Sequence, residues 1–149
     1  MVAEEGMNKT IMVSGGFDPL HIGHVQMIRE AARLGPVVVA VNSDEWLKRK
    51  KGYVFMPFRE RCAIIEALEG VVRAVAFDDS DDTAIDALDT FKPRCFANGG
   101  DRKEGGVPEE QFCFDNGIDM LWGIGGEDKP QSSSWLVKSA MDQIRNGRT

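Results

Sequence analysis

Along the chain, short apolar runs alternate with longer stretches in which apolar positions recur every three or four residues. IMVS (Ile11–Ser14) reads as a buried strand. HVQMIREAARLG follows, with Val25, Ile28 and Ala32 on one face and Gly35 as a stop, and reads as a helix starting near Ile22 or Gly23. VVVAVNS (Val37–Ser43) is β-branched and unbroken, the pattern of a strand covered on both faces. Asp44–Lys50 reads as a short helix, and Pro57–Gly70 as a helix opened by proline and closed by glycine. VVRAVAF, RCFANGG and Ile118–Trp122 complete the strands; Thr83–Phe91, Pro108–Asn116 and Trp135–Arg145 complete the helices.

This alternation predicts an α/β fold with a parallel sheet covered on both faces. With right-handed crossovers, about five strands wind as a Rossmann-like, doubly wound sheet in the order 3-2-1-4-5. No repeat or linker divides the chain. The expectation is one domain over residues 1–149, with 1–9 and 146–149 as tails. In that order the winding reverses between strands 1 and 4, and ligands enter the crevice at the carboxyl ends of strands there. GGFDPLHIGH follows strand 1 and NGGDRK follows strand 4, so the two glycine-rich segments fall where the topology opens a pocket.

Composition narrows the function. A formal net charge of −6 argues against a broad nucleic-acid surface. The three cysteines, Cys62, Cys95 and Cys113, are widely spaced with no CxxC, which disfavours a disulfide framework or a zinc site. The start, MVAEEGMNKT, is acidic and polar, unlike a signal peptide, and no apolar run approaches a membrane span. A reducing cytoplasm and no membrane partner are the expectation.

Both histidines of the chain lie in SGGFDPLHIGH, at His21 and His24. Gly15 and Gly16 permit close approach of backbone to a ligand. The following helix start offers unpaired N–H groups and a partial positive charge, which suit phosphate. His21 and His24, three apart, share one helical face and can donate hydrogen bonds to a charged transition state or departing pyrophosphate. Gly23 between them lets a nucleotide lie against the helix start. Asp18 is a short acceptor suited to orienting the turn through backbone N–H groups. A metal site is the weaker alternative, since neither a third histidine nor a nearby cysteine completes a ligand set. The GxGxxG dinucleotide fingerprint is absent.

SGGFDPLHIGH resembles the GxFDxxHxGH signature of the cytidylyltransferase-like nucleotidyltransferases. VAVNSDEWLKRKKG, PFRERCAIIEALEGV, FDDSDDT and KPRCFANGGD parallel the heptose-1-phosphate adenylyltransferases; glycerol-3-phosphate cytidylyltransferases share the same frame. The resemblance implies a nucleotide site with Gly15, Gly16, Phe17, Asp18, Gly23, Asn98, Gly99, Asp101 and Ser132–Ser134. It implies Lys48 over the phosphates, with Lys50 and Lys51 as alternates, and Arg61 on the acceptor phosphate. Asn98 stands where heptose enzymes usually show lysine. SSSW (Ser132–Trp135) looks like the segment that clasps the β- and γ-phosphates, and its serines also suit a helix cap. Glu127 and Asp128 occupy the region where cytidylyltransferases often place arginine, leaving Lys129 as the cation there. Trp122 and Trp135 suit packing better than base stacking.

The expected activity is transfer of a nucleoside monophosphate from an NTP to a phosphorylated sugar or polyol, with release of pyrophosphate. ATP is the first choice and CTP the second, with Mg2+ carried on the nucleotide. His21, His24, Lys48 and Arg61 are the expected catalytic set. A coenzyme-precursor adenylyltransferase of the phosphopantetheine type and a non-catalytic nucleotide-binding module remain open, as does a homodimer.

Overall fold

The computed structural model describes residues 9–99, 106–126 and 131–147. Its strands are β1 (Ile11–Gly15), β2 (Val37–Val41), β3 (Val71–Val75), β4 (Cys95–Gly99) and β5 (Asp119–Ile124). Its helices are α1 (Ile22–Ala32), α2 (Asp44–Lys51), α3 (Phe58–Glu66), α4 (Ile85–Phe91), α5 (Glu109–Asp115) and α6 (Ser133–Asn146). The strands form one parallel sheet in the order β3-β2-β1-β4-β5, the doubly wound arrangement the pattern predicts.

Every residue of β2 is closed to solvent, because side chains alternate between two covered faces. Val37, Val39 and Val41 pack with Ile11, Val13, Ile28 of α1 and Ile65 of α3. Val38 and Ala40 pack on the other face with Met12, Phe96, Leu88 of α4 and Cys113 of α5. β3 lies at an edge, and its Arg73 and 42% exposed Val72 suit that place. Among the described residues no helix is long and apolar enough to cross a membrane.

Several boundaries differ from the sequence pattern, each for a local reason. β2 stops at Val41, because Ser43 turns to cap α2 and accepts the Trp46 N–H at 3.1 Å. α3 ends at Glu66, and the following turn closes at Gly70 with φ +92°. A Cβ there would come within 2.5 Å of the Ala32 Cβ, so α1 and this turn pack closely only with glycine. α6 begins at Ser133, earlier than Trp135, since Ser132 is its cap. β5 continues two residues past Trp122.

The feature that opens the sheet is the seam between β1 and β4. β1 pairs with β2 along its whole length, Ile11↔Val37 through Gly15↔Val41. It pairs with β4 only at Ile11↔Cys95 and Met12↔Phe96. Beyond those pairs the two central strands have no shared ladder, and their carboxyl ends lie where the winding reverses, the place at which doubly wound sheets open a ligand crevice.

Candidate active site

The β1–α1 turn builds the floor of that crevice. His21 is the N-cap of α1, with extended backbone. Its Nδ1 accepts the Gly23 N–H at 3.0 Å, and the Nδ1 of His24 accepts the His21 N–H at 3.2 Å. The pair thus reproduces a capping box with imidazoles in place of serine and glutamate. The rings stack with centroids 3.8 Å apart. Because each Nδ1 accepts a hydrogen bond, the neutral ring carries its proton on Nε2. Burial pushes the His24 pKa down to about 3, helped by the nearby charges of His21 and Lys51. His24 is therefore a neutral donor through Nε2 at ordinary pH.

Gly15, Gly16 and Phe17 pack closely in this turn. A Cβ on Gly15 would lie 3.2 Å from the Phe17 ring, and one on Gly16 would lie 3.0 Å from Leu47. Phe17 is 2% exposed, in the left-handed region at φ +53°, and its ring meets the His24 ring edge-on at 4.8 Å. Its side chain is a wall behind the imidazole, not a face for a ligand.

Asp18 and Arg61 lie beneath the turn, both closed to solvent. Asp18 accepts the N–H groups of Phe55 and Met56 at 2.6 and 2.5 Å. It is an acceptor for backbone as expected, but of a loop 37 residues away rather than of its own turn. Arg61 donates through Nη1 to Gly16 O at 2.8 Å and Asn42 O at 2.7 Å. Nε donates to Met56 O at 2.9 Å, and Nη2 to Asp44 Oδ1 at 2.6 Å. Instead of facing an acceptor phosphate, the guanidinium joins the histidine turn, the end of β2, the start of α2 and the 52–57 loop. It stands as a positioning residue.

The basic run divides along α2. Lys50 pairs with Asp82 Oδ2 at 3.3 Å, and Arg49 donates to Asp82 Oδ1 and Asp79 O, both at 3.0 Å. These two cations hold the acidic stretch 78–82 at the surface. Lys48, the favoured lysine, is exposed. Lys51 lies one turn after Leu47, the side chain packed on Gly16, and its charge is the one felt at His24. Of the basic run, Lys51 is the one whose charge bears on the His24 pKa.

At the other end of the chain, α6 docks on the same turn. Ser132 Oγ accepts the Trp135 N–H at 3.4 Å as the cap, and Ser133 Oγ donates to Pro19 O at 2.7 Å. Both serines are buried and occupied, and Ser134 is exposed. The N-terminal end of α6 is thereby held against the segment that precedes His21. Trp135 is 55% exposed and is no part of the core. Glu30 accepts the Gly125 N–H and fixes the exit of β5 to α1. Asn98 is 2% exposed at the end of β4, and Gly99 closes that strand. Asp101, Glu127, Asp128 and Lys129 lie outside the described residues.

Several contributors escape a sequence reading: Asn42, Asp44 and Asp79, and the backbone of Phe55 and Met56. Asp79 accepts from Ser43 N at 2.8 Å, Ser43 Oγ at 2.8 Å and Asn42 Nδ2 at 3.1 Å, so it fixes the turn into α2. The available signal was the SD pair at Ser43–Asp44, a helix-start signature facing an acidic stretch across the sheet end.

The cytidylyltransferase-like family model matches residues 12–121, which include the histidine turn, Asp18, Arg61 and the β4 end. The chain belongs to the cytidylyltransferase-like family. Within it, the chain is 38% identical over 123 residues to the bifunctional protein HldE of Sodalis glossinidius, covering 80% of this chain and 25% of that protein. It is 34% identical to HldE of Yersinia pestis, covering 98% of this chain and 30% of that protein. The chain thus spans between a quarter and a third of the length of these relatives. Among solved structures, the lipopolysaccharide core biosynthesis protein of Thermoplasma volcanium is similar, with a TM-score of 0.65 and 26% identity. That match covers 76% of this chain and 93% of the other. The chain's family is one of nucleotidyltransferases.

Proposed function

We propose that the protein transfers a nucleoside monophosphate from an NTP, with ATP preferred, to a phosphorylated sugar or polyol. The observation that carries the reading is the paired imidazole cap. Two rings stacked at 3.8 Å give their Nδ1 atoms to backbone donors and keep their protons on Nε2 at a helix N-terminus. Fixed donors aimed at developing charge are the usual large term in phosphoryl chemistry. The similarity to HldE along nearly the whole chain, with the sequence resemblance to heptose-1-phosphate adenylyltransferases, favours a sugar phosphate as acceptor.

In the proposed reaction an oxygen of the acceptor phosphate forms a bond to the α-phosphorus. The bond from that phosphorus to the bridging oxygen of the β-phosphate breaks, and pyrophosphate leaves with the electron pair. The chain positions the reactants and stabilises charge. His21 and His24 donate to the transferring and leaving phosphates, and the α1 N-terminus adds its partial positive charge. Lys51, with Lys48 on the same helix, offsets the repulsion between the two phosphorylated reactants. Arg61 and Asp18 hold the turn. Both oxygens of Asp18 accept backbone N–H groups, and no group of three or more acidic, histidine or cysteine residues is gathered for a metal among the described residues. Magnesium enters this reading as part of the nucleotide substrate, held by its phosphates.

The test is pyrophosphate release with ATP, CTP, GTP and UTP against sugar phosphates, polyol phosphates and phosphopantetheine. Release with ATP and a sugar phosphate is expected, and His24→Ala should lower turnover by about 100-fold or more, the scale of one lost transition-state donor. Nucleotide binding without release from any acceptor identifies a binding module instead. Unchanged turnover in the His24→Ala variant removes the role given to the turn.

A further inference from the structure

We propose that two copies of this chain associate reciprocally, the exposed stripe of α6 from each seated in the groove between α5 and β5 of the other. This goes beyond the nucleotidyl-transfer reading and does not rest on it.

α6 is secured at its start, where Ser132 caps it and Ser133 Oγ donates to Pro19 O. Past that anchor, Val137, Ala140, Met141 and Ile144 recur at i, i+3, i+4 and i+7, one stripe of the helix. Met141 and Ile144 are each more than half exposed, and no side chain of α6 joins either apolar core of the described residues. Lys138 and Asp142 pair with each other at 3.0 Å off that stripe, so Arg145 gives this part of the helix its net positive charge.

The groove is the complementary feature. Phe114 stands 83% exposed on α5, and with Ile118, Met120 and Trp122 it lines a groove along the edge strand β5. Glu110 and Asp119 also line it, so the apolar floor carries acidic groups. An apolar ridge bearing an arginine and an apolar groove bearing carboxylates fit in shape class and in charge.

Within one chain the two do not meet, since Phe114, Met141 and Ile144 all stay exposed. The layers explain why. α5 packs on one face of the sheet through Cys113, and α1 packs on the other through Ile28 and Ala31. The chain leaves β5 on the α1 side, where Glu30 accepts the Gly125 N–H and a Cβ on Gly125 would lie 3.1 Å from the Met27 backbone. α6 starts on Pro19, just ahead of α1, while the groove opens beside α5. The same chain thus carries a ridge and a groove that only a second copy brings together. When each copy supplies both, the contact is made twice about a two-fold axis and the assembly closes as a dimer.

The experiment is sedimentation of the full chain over a concentration series, with native mass spectrometry on mixtures. The wild type should form a dimer whose population rises with concentration. Ile144→Glu puts a carboxylate against the acidic groove, and Phe114→Ser removes its most exposed wall. Each should weaken the dimer by about ten-fold or more, the scale of losing one interface anchor. Both positions are exposed, so circular dichroism and melting temperature should stay at the wild-type values. Mixing the two variants should produce heterodimers more readily than either forms homodimers, because an intact α6 then meets an intact groove once. A wild type that stays monomeric throughout overturns the proposal. So does a Phe114→Ser dimer as tight as the wild type, which would mean that α6 pairs elsewhere, or a mixture that shows no gain. Open assemblies that keep growing with concentration overturn the closed pairing. None of these outcomes bears on nucleotidyl transfer.

Discussion

A histidine that stays neutral far below its ordinary range has a consequence for folding. In the unfolded chain His24 titrates near 6.5, and in the folded protein near 3. Between those values the unfolded state holds a proton that the folded state lacks. Stability is therefore fully present above about 6.5 and is lost progressively as the pH falls toward 3. Asparagine keeps an acceptor where His24 Nδ1 receives the His21 N–H, but it does not titrate. Urea unfolding at pH 7, 6, 5 and 4 should show a steeper acid loss in the wild type than in His24→Asn, by a slope of about one proton. Parallel curves would mean that the ring is protonated in the folded state. The same neutrality predicts that any limb of the activity profile between pH 5 and 8 belongs to a group other than His24.

The elements around the turn are held by a few buried polar groups. Arg61 uses four donors on Gly16, Asn42, Met56 and Asp44. Removing it orphans three backbone carbonyls and a carboxylate. Arg61→Ala should cost about 3–5 kcal/mol in chemical denaturation, the range for breaking a buried pair on one side. Arg61→Lys should recover only part, since an ammonium cannot span the same fork. A loss under 1 kcal/mol in the alanine variant would show that the guanidinium is not the clamp its hydrogen bonds describe. This residue also marks where sequence reading ends. The strands and helices follow from alternation and period, since β2 is apolar throughout and α1 repeats every three or four residues. The histidine pair is legible from its spacing. The partners of Arg61 are not, because three of the four are backbone carbonyls, which carry no residue signature and are brought together only by the crossover of the sheet. Lys48 and Lys51 look alike in a basic run. The helical phase that sets Lys51 one turn after Leu47 distinguishes them, and that phase depends on Leu47 packing against Gly16.

For the molecule as a whole, the proposed site lies where the sheet is continuous on one side of β1 and interrupted on the other. β1 and β2 share five paired positions, while β1 and β4 share two. A ligand seated in that gap bridges two halves that the backbone ladder leaves apart, and so should order both walls at once. Hydrogen exchange with saturating Mg-ATP should slow at residues 15–24 on the β1 wall and 97–99 on the β4 wall. Amides of β3, on the far edge, should change little. The alternative location is the open cavity of about 540 Å³ between α5 and β5, lined by Glu110, Phe114, Met120 and Trp122 among others. Its wall is an edge strand and a short helix rather than a winding reversal. No histidine lines it, and its one carboxylate pair, Glu110 and Asp119, would repel a triphosphate. Protection confined to residues 110–122 would place the nucleotide there and would separate the histidine turn from nucleotide binding. Protection of both crevice walls, lost together in His24→Ala, would tie the parted strands to the bound triphosphate.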